Sequence, residues 1–352
     1  MLKLSKILFP TLLLVGSVIG AGFVSGKEIL LFLGKAKGGG ILLSVLVGVG
    51  VFAFSHLFLS YGNDKNLRSI DDFGVRLFGK KYGFLITVCY LFCCFTTLLA
   101  MMSGIDALFF SAYDVNMPIF SYIAYFLITP FVIKGIKGVQ VFNFFITPVL
   151  IALIILVCLP LNSRISFNGL NLSTAISPFM YIAMNFSGIS FVLVEVGKDM
   201  QKDEIVLSSV ISSIIIAFLL YFLYSSLKKS QFVDFDLPLM ELAKAKGKGG
   251  YCFFALLFGI ITTLITSYHA LYTFVEQKFK DKTITVLSLF FVCYSISRMG
   301  FSKVVGYLYP VQSVFGAIVF LTAVSKRTTY SVSSNALKVK LQSIQRRIKG
   351  AK

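Results

Sequence analysis

Residues 16–26 read Gly16-Ser-Val-Ile-Gly20-Ala-Gly22-Phe-Val-Ser-Gly26, at the centre of an apolar segment that runs over residues 8–33. The segment is long enough to cross a bilayer, but its glycines weaken a helix at the midpoint. A break that faced lipid would leave backbone N–H and C=O groups without partners. We therefore expect the chain to be interrupted here, beside a cavity inside the protein.

A second apolar segment, over residues 174–197, carries Asn185-Phe186-Ser187-Gly188 at its centre. Asparagine, serine and glycine all favour a helix less than alanine or leucine does, so we expect a second interruption there. Gly22 and Gly188 are 166 residues apart. Paired interruptions at corresponding places in two halves of a hydrophobic chain are typical of the binding site of a secondary transporter.

The composition is that of an integral membrane protein. Of the 352 residues, 57% are hydrophobic and 14% are charged, against roughly half and a quarter in soluble domains. We expect one transmembrane domain over residues 1–325 and a basic cytoplasmic tail over residues 326–352. The net charge of +18 then belongs to basic loops and the tail, and no nucleic-acid partner is expected.

The expected fold is an all-α integral membrane fold of ten transmembrane helices. The second five spans begin 164 to 166 residues after the first five, which predicts two repeats, over about residues 8–160 and 174–325. Because five is an odd number, the second repeat is inserted upside down, giving a 5+5 inverted repeat with discontinuous helices 1 and 6. The predicted spans are residues 8–33, 39–62, 82–110, 117–133, 138–160, 174–197, 203–226, 248–276, 283–299 and 304–325.

The distribution of lysine and arginine predicts the orientation in the membrane. With the N-terminus inside, about two thirds of the 33 basic residues lie on cytoplasmic segments, so we expect both termini in the cytoplasm. The tail mixes apolar and basic residues, which predicts a helix on the anionic lipids of the inner leaflet. A disordered tail is the alternative.

The residues at the first break resemble those of known families. Gly16, Gly20 and Gly22 resemble the broken first helix of the leucine-transporter-type fold, which neurotransmitter:sodium symporters and amino acid–polyamine–organocation transporters share. The stretch Ile19-Gly-Ala-Gly-Phe-Val-Ser-Gly-Lys-Glu28 is similar to the start of the YkvI-type bacterial membrane proteins. The fold-level resemblance covers all ten spans and implies a multi-pass protein of the bacterial inner membrane.

This resemblance implies a sodium site made from the first break and the eighth span. Carried over by position, its ligands are the carbonyls of Gly16, Ile19 and Thr263 and the hydroxyls of Thr266 and Ser267. Neutral oxygens suit a hard cation, so sodium is the expected coupling ion, and no other cofactor is expected. The alternative is that these hydroxyls only form hydrogen bonds within the membrane helices.

The resemblance also implies a substrate site between the two breaks. The N–H groups of Ala21 and Gly22 would face an anionic group, whereas Asn185 and Ser187 would bind a polar or ammonium group. Because the sequence shows no Asp or Glu near either break centre, a zwitterion or neutral polar solute is favoured over a polyamine. The expected site residues are Gly20, Ala21, Gly22, Phe23, Asn185, Phe186, Ser187 and Gly188.

Four charged residues are candidates for gates. Lys27 and Glu28 follow the first break and would form an outer gate, together with Asp106 near the end of span three. Glu195 lies about two turns beyond the second break and is either an inner gate or a proton carrier. The alternative is that these residues form ordinary charge pairs near the membrane surface.

Together these features predict a secondary active transporter that couples sodium to the symport of a small amino-acid-like or other polar organic solute. Two alternatives stay open: a small-molecule receptor subunit of the same fold, like the spore germinant receptors, and a proton-coupled carrier or exchanger. An enzyme is not expected, because the sequence has only two histidines, no clustered carboxylates and no nucleophile–base pair. The expected partners are the solute and the lipid bilayer.

Overall fold

A computed structural model describes residues 2–36, 39–63, 67, 69–115, 117, 119–159, 171–228, 230–297 and 299–327. Within these ranges the regular structure is helical, as the sequence predicts. The predicted tail lies outside the described residues, apart from its first two positions. The helices are α1 Leu2–Val18, α2 Ala21–Ser25, α3 Lys27–Leu33, α4 Gly40–Tyr61, α5 Ile70–Tyr113, α6 Ile119–Ile133, α7 Ile136–Cys158, α8 Leu172–Gly197, α9 Lys202–Leu227, α10 Pro238–Ala245, α11 Gly249–Phe279, α12 Lys282–Ser297 and α13 Phe301–Arg327.

Seven of these helices are long and apolar enough to cross a membrane, namely α4, α5, α7, α8, α9, α11 and α13. Three shorter apolar helices lie over Leu4–Val18, Ile119–Ile133 and Lys282–Cys293. Together they occupy the positions of the ten predicted spans. The helical, multi-span architecture is therefore confirmed, whereas the inverted repeat stays a prediction.

The predicted interruption of the first span is confirmed. α1 ends at Val18, and Gly20 has an extended backbone with φ −87° and ψ −170°. The five-residue α2 then ends at Gly26, whose φ of 82° and ψ of −2° lie in the left-handed region that glycine adopts without strain. The first span therefore consists of three short helices with two changes of direction.

The predicted interruption of the sixth span is wrong, because α8 runs unbroken from Leu172 to Gly197. The polar side chains at its centre bond to carbonyls of their own helix. Asn185 Nδ2 donates to the Tyr181 carbonyl at 3.0 Å, and Ser187 Oγ donates to the Met184 carbonyl at 2.6 Å. Such bonds place polar groups in a membrane helix without breaking it. Among the described spans, the break between α1 and α2 has no counterpart in α8.

Eight of the helices pack in two groups, and α7 contacts both groups through α1 and α11. α1, α4, α8 and α9 pack on one another, while α5, α6, α11 and α12 form the second group. α4 packs directly on α9 and α5 on α11, and each pair joins corresponding spans of the two predicted repeats. The break between α1 and α2 lies at the junction of the groups, because α1 contacts α11 and α2 contacts both α11 and α5.

Candidate functional site

A small central cavity lies where the break between α1 and α2 faces α5, α8, α11 and α13. Its volume is about 20 Å³, which is room for one water-sized occupant. Its wall combines residues of α1 and the break with residues of five other helices, α3, α5, α8, α11 and α13. The lining residues are Ser17, Val18, Gly20, Glu28, Thr97, Met101, Met184, Asn185, Gly188, Ile189, Thr263, Tyr309 and Gln312.

Three of the eight predicted substrate residues line this cavity: Gly20, Asn185 and Gly188. Asn185 and Gly188 reach the cavity from a continuous helix. The Gly188 carbonyl accepts a hydrogen bond from the Cys94 thiol at 3.2 Å.

The other five predicted substrate residues lie beside the cavity or turn away from it. The backbone N–H of Ala21 is directed at Met101 Sδ, 3.5 Å away, and sulfur is only a weak acceptor. The ring of Phe186 packs on Phe54, with 5.2 Å between the ring centroids. The remaining three, Gly22, Phe23 and Ser187, are buried without lining the cavity.

Glu28 differs most from its predicted position. The left-handed turn at Gly26 redirects α3, so that the Glu28 side chain lies against Gly22. A Cβ atom on Gly22 would overlap with Cγ, Cδ and Oε1 of Glu28. Glu28 is 3% exposed and lines the central cavity, so the expectation that no acidic residue lies near the break is wrong.

The predicted outer gate of Lys27, Glu28 and Asp106 is not assembled in this conformation. Lys27 Nζ donates to the Phe235 carbonyl at 2.8 Å, which ties the start of α3 to the segment before α10. Asp106 Oδ2 accepts a hydrogen bond from Ser121 Oγ on α6 at 3.2 Å. The three side chains therefore face three different parts of the protein.

Gln312 on α13 is a site residue that the sequence analysis missed. Its side chain is buried, and Nε2 donates to Thr97 Oγ1 at 3.1 Å and to the Met184 carbonyl at 3.2 Å. Oε1 accepts from Thr96 Oγ1 at 2.8 Å. An amide inside an apolar span is itself a signal of function, and it would have drawn attention to this position.

The predicted sodium ligands partly meet at the contact between α1 and α11. Thr263 Oγ1 lies 3.2 Å from the carbonyls of Gly16 and Ser17 and donates to them. One turn further along α11, Thr266 Oγ1 lies 2.8 Å from Ser17 Oγ. Oxygens from the break and from α11 are therefore neighbours, as the resemblance implies.

Three predicted ligand atoms, the carbonyls of Ile19 and Thr263 and the hydroxyl of Ser267, are not part of these contacts. The hydroxyl of Ser267 donates to the Thr263 carbonyl of its own helix at 3.0 Å. The Ile19 carbonyl faces Gly259, one turn before Thr263, and a Cβ atom at Gly259 would lie 2.8 Å from that oxygen. In this conformation the cluster is a hydrogen-bonded contact between helices.

Glu195 pairs with a histidine on another helix. Its Oε2 lies 3.1 Å from His269 Nε2 on α11, and the histidine is almost completely buried. Glu195 also lines a cavity of about 200 Å³ between the starts of α1 and α7 and the end of α8. The pair therefore joins the two helix groups near the end of α8, and the role of Glu195 as a gate stays a prediction.

We expect the pair of Glu195 and His269 to be energetically coupled. Replacing either residue by alanine should lower the apparent unfolding temperature, and the double variant should lose about 1 kcal/mol less than the two single losses together. Thermal unfolding of the four purified proteins in one detergent measures this difference. Simple additivity of the two losses would contradict the proposed link between α8 and α11.

A third, larger cavity of about 750 Å³ lies at the other end of the bundle, between the end of α5 and α10. Its charged lining residues are Asp114, Asp236, Glu241 and Lys244. Since successive spans alternate in direction, this cavity and the cavity beside Glu195 open on opposite faces. The central cavity lies between them. We name the cavity beside α10 the outer vestibule, after the orientation that the sequence predicts.

Comparison with known proteins supports the fold that this geometry indicates. No known protein-family profile matches the chain. The uncharacterized membrane protein YkvI of Bacillus subtilis (strain 168) is 25% identical over 313 residues, which cover 84% of this chain and 89% of YkvI. The predicted resemblance to the YkvI-type proteins is confirmed. YkvI is described as a membrane protein, and this chain is a multi-pass membrane protein.

Solved structures of transporters share the fold. A mutant of the manganese transporter of Eremococcus coleocola matches with a TM-score of 0.60 and 13% identity, over 92% of this chain and 78% of that one. Inward-facing Mhp1 matches with a TM-score of 0.55 and 14% identity, over 90% and 74%. Mhp1 in a closed conformation with bromovinylhydantoin bound matches with a TM-score of 0.53 and 11% identity, over 90% of this chain and 70% of that one. That protein is described as a nucleobase-cation-symport-1 family transporter. The leucine-transporter-type fold is thereby confirmed, and these neighbours are transporters rather than enzymes, in line with the prediction that the chain is not an enzyme.

Proposed function

We propose that this protein is a secondary transporter that carries a small polar solute across the bacterial cytoplasmic membrane by alternating access. The observation that carries the proposal is the central cavity at a backbone break, with a vestibule towards each face of the bundle. A midplane site at a discontinuous helix is the arrangement that secondary transporters use. The transporters of the same fold support this reading.

The packing of the helices supports a mechanism of two rocking bodies. α1, α4, α8 and α9 would move as one body against α5, α6, α11 and α12. Because α8 is continuous, the flexible points in the moving group are Gly20 and Gly26, which flank α2. An amino acid is larger than the present cavity, so the solute would enter only when the two groups move apart.

Sodium-coupled symport of an amino-acid-like solute is the finer form of the proposal. Its support is the cluster in which Thr263 and Thr266 meet Gly16 and Ser17. A small separation of α1 from α11 would free these oxygens from each other and let them coordinate a cation. Neutral hydroxyl and carbonyl oxygens are suitable ligands for sodium.

Thermal unfolding of the purified protein tests this function. Ligands that bind the native state raise the apparent unfolding temperature, so the protein should be screened against amino acids and nucleobases, in sodium chloride and in choline chloride. We expect at least one solute to stabilise the protein more in sodium, and Thr263→Val to lose the sodium dependence. A solute shift that ignores sodium would favour a proton-coupled carrier, an exchanger or a receptor. The absence of any solute shift would contradict the proposed function.

A further inference from the structure

Glu28 brings a carboxyl group to the wall of the central cavity, and no described lysine, arginine or histidine forms an ion pair with it. Glu28 is 3% exposed, and its Oε2 atom has no hydrogen-bond partner among the described residues. The ion pairs found in the described ranges involve other acids. Lys27, the adjacent cation, is directed at the Phe235 carbonyl instead. An ionised carboxylate in such a place is costly without a positive partner.

The rest of the cavity wall is neutral and rich in oxygen. No lysine, arginine or histidine of the described residues lines it. Hydroxyl and amide oxygens can coordinate a metal ion or accept hydrogen bonds from an ammonium group. The polar side chains beside Glu28 on the wall are Ser17, Thr97, Asn185, Thr263, Tyr309 and Gln312.

The charge and the volume of the cavity limit what it can hold. A volume of about 20 Å³ admits one water-sized occupant. One carboxylate balances one positive charge, whereas calcium sites commonly use several carboxylates. We infer that the central cavity binds a single positive charge against Glu28, as a monovalent metal ion or as the ammonium group of the transported solute.

The outer vestibule has the charge that such a ligand requires. Three acids, Asp114, Asp236 and Glu241, line it together with one base, Lys244. A cleft of predominantly negative charge raises the local concentration of cations. The path from this face to Glu28 therefore favours positively charged ligands at both ends.

This inference rests on the proposed transport function and narrows its substrate. The sequence favoured a zwitterion or a neutral solute because no acid lay near the breaks. With Glu28 in the cavity, the ligand has an ammonium group, or a metal ion accompanies it at the same carboxylate. Either source gives the same chemistry at Glu28, and different probes separate the two.

The test is a cation titration of the full-length protein, read as the apparent unfolding temperature. Sodium chloride, potassium chloride and methylammonium chloride replace choline chloride at constant ionic strength. We expect at least one of the three to stabilise the wild type saturably. In Glu28→Gln the effect should vanish or need at least about tenfold more cation, because a charged partner is lost. A response to sodium or potassium identifies a metal ion, and a response to methylammonium alone identifies the ammonium group of a solute.

Two controls separate a loss of cation binding from an effect on folding. Glu276→Gln removes an acid far along α11 from the cavity and should keep the wild-type cation response. In choline chloride, Glu28→Gln should unfold at the same temperature as the wild type or higher, because it removes a buried carboxyl group whose Oε2 has no described partner. An equal cation response in the wild type and in Glu28→Gln would overturn the inference, as would a wild type indifferent to all three cations. A solute that stabilises both proteins equally would also overturn it, while leaving the transporter proposal standing.

Discussion

Replacing Gly22 by alanine is expected to abolish ligand binding while the protein still folds. The new methyl group would occupy the space of the Glu28 carboxyl and its neighbouring carbons. Because the surrounding core is closely packed, the glutamate would have to leave the cavity wall. The measurement is the stabilisation by sodium or methylammonium, which should be lost in the variant as it is in Glu28→Gln.

Gly306→Ala is the matched control for this substitution. Gly306 lies in the π-helical turn Val304–Leu308 of α13, and a Cβ atom there would meet no other atom within 4 Å. It should keep the wild-type response to cations. Unchanged binding in Gly22→Ala would contradict the account, because it would show that the position of the Glu28 carboxyl does not depend on the space that glycine leaves at residue 22.

Replacing Gly26 by alanine is expected to destabilise the protein by about 2–5 kcal/mol. The left-handed backbone costs a non-glycine residue about 1–2 kcal/mol. The added Cβ atom would also overlap with Cδ1 of Leu227 on α9, and overpacking adds about 1–3 kcal/mol. Thermal unfolding in detergent should show a much lower transition temperature.

Gly247→Ala separates the two contributions. Gly247 also has a positive φ, 69°, but a Cβ atom there would meet nothing within 4 Å. This control should therefore show the backbone cost alone, and Leu227→Ala should partly rescue Gly26→Ala. If Gly26→Ala were as mild as Gly247→Ala, the close contact between the α2–α3 turn and α9 would be in doubt.

The first break could be predicted because its cause is local. Four glycines within residues 16–26 weaken the helix wherever the segment is placed. The positions of the spans could be predicted for a similar reason, because the thickness of the bilayer requires a run of about 20 apolar residues in each span. Neither prediction required knowledge of tertiary contacts.

The continuity of α8 could not be predicted from composition. Asn185 and Ser187 are compatible with a break or with a helix, and the outcome depends on where their side chains find partners. In the structure both bond to carbonyls of the preceding turn. A single glycine at this point, Gly188, does not break the helix.

The position of Glu28 depends on one backbone angle that the sequence does not reveal. In a continuous helix, Glu28 would lie about 9 Å beyond Gly22 along the axis. The left-handed conformation of Gly26 instead returns the carboxyl to the break. The same change of direction sends Lys27 towards the segment before α10, which is why the predicted outer gate did not form.

Access to the central cavity from both faces of the membrane tests the transport mechanism most directly. In a protein whose six native cysteines are replaced, Thr97→Cys would place a thiol on the cavity wall. Ser111→Cys in the outer vestibule and Gln140→Cys in the opposite one provide controls for sidedness. A membrane-impermeant thiol reagent is then applied to each face of oriented vesicles. The mechanism predicts that the thiol at residue 97 reacts from both faces, while each control reacts from one. Reaction of that thiol from a single face would contradict alternating access and favour a receptor.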